Sequence, residues 1–186
     1  MAVNSQMLDL GTPAPDFKLP DTDGDVVSRH DVEGAPLLGV FRSKHCPYVQ
    51  HVREGIISLA RDVADRGVAV VGIVSNDWDS HPDDAPAELA REGYPFPVLF
   101  DETQEVAKAF RAACTPDFYL FDAGHRLVYR GQMDDARPRN DAPVTGADIR
   151  AAVDALGAGR PVDPQQRPSI GCSIKWRPGN DPNYTT

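Results

Sequence analysis

The run Val68-Ala69-Val70-Val71-Gly72-Ile73-Val74 limits the fold more than any other stretch of this chain. It is apolar without alternation and rich in β-branched residues, so it reads as a strand buried on both faces and central in its sheet. Such a strand needs helices above and below it. Upstream, Leu37-Leu38-Gly39-Val40-Phe41 is a second apolar strand, and residues 47–66 place Val49, Val52, Ile56, Leu59, Ala60 and Val63 at helical spacing before Gly67 stops the helix. Downstream, residues 85–92 read as a short helix, 97–100 as a strand and 103–111 as a helix. Residues 118–121 and 126–130 read as antiparallel strands joined by the turn Asp122-Ala123-Gly124-His125, and 146–156 as a closing helix.

The β-α-β-α-β-β-α order fits an α/β domain with a mixed central sheet flanked by helices. A length of 186 residues, 41% of them hydrophobic, suits one such domain with extensions, and residues 1–156 are assigned to it. An opening segment rich in Pro and Asp ends at Gly24, ahead of Val26-Val27-Ser28, and predicts an N-terminal hairpin extension. Residues 157–186 form a Pro-rich and Gly-rich tail. Its alternating Ile170, Cys172, Ile174 and Trp176 would be superfluous in a disordered linker, so the tail is expected to dock on the domain.

Charge and cysteine usage narrow the function. With 19 basic against 28 acidic residues, a formal net charge of −9 argues against nucleic acid and anionic membranes as partners. Residues 1–10 lack the basic start and apolar stretch of a signal peptide, no run is long enough to span a membrane, and a cytoplasmic location is expected. Three scattered cysteines, Cys46, Cys114 and Cys172, are too few for a disulfide scaffold. Gly131 and Gly171 are isolated and make no phosphate loop, and no cofactor is expected. Metal binding by His45, Cys46 and His51, or with Cys114, lacks standard ligand spacing, and no metal is expected. The polar residues 76–84 lack the glycine and terminal glutamate of a calcium loop and read as a solvated strand-to-helix loop.

Cys46 is the candidate reactive group. It stands between a strand and a helix that begins at Pro47, where the missing N–H of proline costs nothing. A helix N-terminus favours thiolate over thiol, and Arg42, Lys44 and His45 place positive charge close by in sequence. Lys44 and His45 also read as ordinary solvated side chains, and Cys46 as a buried, inert cysteine.

Together these features resemble the thioredoxin fold, and more narrowly the peroxiredoxin-like branch of the alkyl hydroperoxide reductase and thiol-specific antioxidant group. The resemblance rests on Gly11, Ala14, Pro15, Phe17 and Leu19, on the strand leading to Cys46-Pro47, on Thr115-Pro116-Asp117-Phe118, and on Phe121-Asp122 with Gly124. It implies that Thr115-Pro116 is a cis-proline loop lying against Cys46. The Cys-x-x-Cys of thioredoxin-type reductases is absent, because Ser43 stands where its first cysteine would be. Ser43 instead matches the hydroxyl residue that peroxiredoxins carry three positions before the reactive cysteine, and would hydrogen-bond the thiolate or a bound peroxide. Gly39, Tyr48 and Val49 depart from the peroxiredoxin pattern, and no arginine matches the usual thiolate partner.

The implied activity is a thiol peroxidase: Cys46 attacks a hydroperoxide, becomes a sulfenic acid, and is recycled through a disulfide or by an external thiol reductant such as a thioredoxin-type protein. If the loop packs on Cys46, Cys114 is near but held in a rigid loop, whereas Cys172 lies in a tail that can move. Cys172 is the expected resolving cysteine and Cys114 the alternative, with the further reading that Cys172 only anchors the tail. A homodimer is implied by the relatives. The alternative function is a non-catalytic thioredoxin-fold redox sensor or binding module.

Overall fold

A computed structural model describes residues 2–185. The strands among the described residues are β1 (Ala2–Asn4), β2 (Lys18–Pro20), β3 (Val26–Ser28), β4 (Leu37–Phe41), β5 (Ala69–Val74), β6 (Val98–Phe100), β7 (Cys114–Thr115), β8 (Asp117–Phe121), β9 (Leu127–Gly131) and β10 (Ile170–Ser173). The α-helices are α1 (Pro47–Ala64), α2 (Pro86–Leu89), α3 (Glu105–Phe110) and α4 (Ala147–Gly157). The main sheet has five strands in the order β6-β5-β4-β8-β9; β4, β5 and β6 are parallel, whereas β8 and β9 run antiparallel to their neighbours. This is the mixed, helix-flanked sheet of a thioredoxin-like fold.

The apolar run at β5 is explained by burial on two sides. Val70 and Val74 face a core shared with Val52, Ile56 and Leu59 of α1 and Ile149 of α4. Val71 and Ile73 face a second core shared with Val106 and Phe110 of α3 and with Phe17 and Leu19 near the β2–β3 hairpin. β5 is an interior strand, but the middle place belongs to β4. α1 buries Val49, Val52, Ile56, Leu59, Ala60 and Val63, the stripe its spacing predicts.

Two helices are shorter than the sequence suggests. Residues 85–92 split into the single turn of α2 and a 3-10 turn, Ala90–Glu92, that ends at Gly93 with φ 65°. α3 starts only at Glu105, because Gln104 is left-handed (φ 64°) and its side chain donates to Ser75 O and Lys175 O. The free N–H groups of that helix start are taken by the Asp101 carboxylate, bonded to Val106 N and Ala107 N.

The tail does more than dock. β10 is the middle strand of a second, three-stranded antiparallel sheet, between β1 and β7. It runs so close to β7 that a Cβ at Gly171 would lie 1.9 Å from Thr115 O. Beyond it, Ile174 is buried in the core that holds α3, and Tyr184 donates to Ala107 O and Ala112 O. No helix among the described residues is long and apolar enough to cross a membrane.

Candidate active site

The end of β4 delivers Cys46 to the start of α1, where it is the N-cap residue with Pro47 at the first helical position. Its side chain is buried, with 0% exposure. The Cys46 thiol donates to the Thr115 carbonyl at 3.1 Å, and the Thr115–Pro116 peptide that carries this carbonyl is cis. Thr115 pairs in register with Cys172 of β10, and Cys114 with Ser173. Thr115 therefore sets the geometry of all three thiols, which are free. The Cys172 thiol is part-buried on the strand that pairs with Thr115. Burial first, and then the neighbouring Cys46, pushes it up to about 11. Cys114 is fully buried, and burial together with the Asp117 carboxyl pushes its thiol well above the ordinary range.

The polar flank of Cys46 is organised by a residue that sequence reasoning missed. Asp84, 0% exposed, receives the Ser43 hydroxyl on Oδ2 at 3.0 Å, the Lys44 N–H on Oδ1 at 2.6 Å and the Asn76 amide on Oδ2 at 2.8 Å. His45 Nδ1 stands 2.6 Å from Oδ2. Burial alone would raise this carboxyl, but the hydrogen bonds from His45, Asn76 and the Lys44 backbone, with the charge of His45, outweigh it and hold the group below its ordinary range. The hydroxyl expected to serve Cys46 is thus bonded to Asp84, with His45 Nδ1 at 3.0 Å from the same oxygen.

The rest of the basic flank is also matched with acids. Lys44 Nζ meets Glu88 Oε2 at 2.9 Å. Arg42 is fully buried, bonds Glu92 Oε2 at 2.5 Å and lies 4.1 Å over the Tyr94 ring. A buried guanidinium requires such a partner. The three acids come from residues 84–92, so the positive charge expected to bear on the thiol instead fastens this segment to the site loop. That surplus of basic residues before Cys46 was the one available signal for the buried acid.

Residues 76–84 are the solvated loop their composition suggests only in part: Asp79, Ser80, Pro82 and Asp83 are exposed, whereas Asn76 is 3% exposed and Asp77 is 7%. Asn76 accepts the Lys175 N–H at 2.8 Å on Oδ1, and Lys175 O accepts from Asp77 N and from Gln104 Nε2. A single amide therefore bonds both Asp84 and the segment that follows β10. Among the described residues, no group of three or more His, Cys, Asp or Glu side chains is arranged to hold a metal ion.

Comparison with solved structures gives near-complete matches. An uncharacterized conserved protein from Geobacillus kaustophilus is 54% identical, covers 96% of this chain and 98% of its own, and has a TM-score of 0.93. A hypothetical protein from Sinorhizobium meliloti 1021 is 49% identical over 95% of this chain and 99% of its own, with a TM-score of 0.91. A thiol:disulfide interchange protein of the thioredoxin family from Chlorobium tepidum TLS is 21% identical over 80% of this chain and 98% of its own, with a TM-score of 0.61, and shows the shared fold. A search of curated proteins found no match. The model of the AhpC/TSA family matches residues 10–130, which take in β2 to β8 and most of β9, Cys46 and the Thr115–Pro116 loop, and by that match the chain belongs to the AhpC/TSA family.

Proposed function

We propose that this protein reduces hydroperoxides with Cys46 and resolves the product with Cys172. Membership in the AhpC/TSA family supports a thiol-based redox function. The finer reading is carried by Thr115, whose carbonyl accepts the Cys46 thiol and which pairs in register with Cys172. The Cys46 thiolate attacks one peroxide oxygen, the O–O bond breaks, and the alkoxide or hydroxide leaves with a proton. Cys46 sulfenic acid results. The Cys172 sulfur then attacks Cys46, an S–S bond forms, and the sulfenic oxygen departs as water. An external dithiol returns both cysteines to thiols and is itself oxidised to a disulfide.

The test is peroxide consumption with a dithiol reductant, together with non-reducing peptide mapping after one equivalent of hydrogen peroxide. A Cys46–Cys172 peptide and turnover that vanishes in Cys46→Ser are expected. Turnover equal in the wild type and Cys46→Ser would sink the reading.

A second reading is thiol–disulfide exchange by the same pair. The pairing of Arg42, Lys44 and His45 with Glu92, Glu88 and Asp84 favours it, because it leaves those cations engaged away from a bound peroxide. Oxidation of the pair by glutathione disulfide, with hydrogen peroxide ignored, would select exchange over peroxide reduction.

A further inference from the structure

We propose that Asn76 and Asp84 are positioning residues that hold the Cys172 strand against the Cys46 loop. The inference rests on the pairing of Cys46 with Cys172 in the reading above, and not on the identity of the oxidant. On one side, Asp84 holds three consecutive residues that end next to Cys46: the Ser43 hydroxyl, the Lys44 N–H and His45 Nδ1. On the other side, Asn76 holds the N–H of Lys175, which lies just past β10 and Cys172. The bond from Asn76 Nδ2 to Asp84 Oδ2 at 2.8 Å joins the halves.

Both residues are buried, at 3% for Asn76 and 0% for Asp84, so water competes little for these bonds. Asn76 sits just beyond the C-terminal end of β5, beside the site but outside the sulfur chemistry. Two sulfurs on separate elements react as if at high effective concentration only while those elements stay in register. The Asp84–Asn76 link supplies that register on the polar side of the site, as the β7–β10 ladder supplies it on the backbone side.

The test is the equilibrium between the Cys46–Cys172 disulfide and a glutathione redox buffer, read by thiol trapping and mass analysis. In Asn76→Ala the effective concentration of one thiol at the other is expected to fall about tenfold, the order set by loss of a buried hydrogen bond. In a Cys172→Ser background, the same substitution is expected to leave the alkylation rate of the enclosed Cys114 unchanged within about twofold, which a general loosening of the fold would not do. Asn76→Ser, which keeps a small polar group in the site, gives the same readout if the alanine variant does not fold. Asp84→Asn combined with Asn76→Ala is expected to cost no more than the worse single change, because both cut one connection.

An effective concentration within about twofold of wild type in Asn76→Ala or Asn76→Ser, or additive losses in the double variant, would overturn the inference. If wild type forms the disulfide with glutathione but ignores peroxide, the peroxidase reading falls and the positioning role is still measured. If wild type forms no Cys46–Cys172 disulfide in the buffer, both fall.

Discussion

Neighbouring strands bring one thiol each to Cys46, and their surroundings differ. On β7, Cys114 is wholly enclosed, and burial with the Asp117 carboxyl makes its thiolate very unfavourable. On β10, Cys172 is only part-buried, pairs with the Thr115 whose carbonyl holds Cys46, and has its thiol pushed up to about 11. The attacking species is the thiolate, so a sulfur whose thiolate is strongly disfavoured is a poor resolving group however near it stands. Proximity brings both cysteines to the site. In the mechanism proposed above, solvation would separate their roles.

The largest effect should come from removing each thiol in turn. Cys172→Ser is expected to lose the intramolecular disulfide entirely and to accumulate Cys46 sulfenic acid, trapped by a dione reagent and weighed by mass analysis. Cys114→Ser should keep the disulfide. If the two variants behave alike, the contrast between the strands fails.

Next in size is the close approach of the strands. An alanine Cβ at Gly171 would lie 1.9 Å from Thr115 O, an atom of the backbone that cannot swing aside. Gly171→Ala should therefore cost about 1–3 kcal/mol or more, by analogy with overpacked cores, and should also lower the yield of the Cys46–Cys172 disulfide. Urea unfolding of the reduced protein reads the first and peptide mapping the second. A stable variant with an undiminished disulfide yield would show that β10 does not need this close contact.

A smaller effect tests what shuts Cys114. Burial raises Asp117 from an ordinary value of 3.8 to about 7. Between those values the folded chain holds a proton that the unfolded chain has released, so this group's contribution to stability falls as pH rises from about 4 to about 7 and is level above. Across that window the loss amounts to a few kcal/mol at most. Asp117→Asn should remove that slope in urea melts at pH 5 and pH 8. Cys114 should still alkylate more slowly than Cys172 in the variant, because burial is the larger cause of its suppression. A Cys114 that matches Cys172 would assign the suppression to the carboxyl.

Much of this architecture was legible in the sequence because it is written in long periodic signals. The run at β5 and the stripe of α1 each span several residues whose spacing has one interpretation. Cys46 was legible for the same reason, as the residue between a strand and a proline-led helix. The cis Thr115–Pro116 bond was legible only through family resemblance, since no local pattern announces it. The second sheet was not, because strands as short as Cys114–Thr115 and Ala2–Asn4 carry no period. Asp84 was hidden differently: a carboxylate among polar residues looks solvated, and only its pairing with distant residues makes burial tolerable.

The complete enclosure of Cys46 makes its chemistry a gated process. A sulfur without exposed surface meets an oxidant only during an opening of its surroundings. At low oxidant concentration the observed rate is the intrinsic rate multiplied by the fraction of time spent open. At high concentration it must level off at the opening rate itself, whatever the oxidant. That plateau would act as a clock for local motion at the site, and bulky and small hydroperoxides would share the ceiling while differing in the concentration needed to reach it.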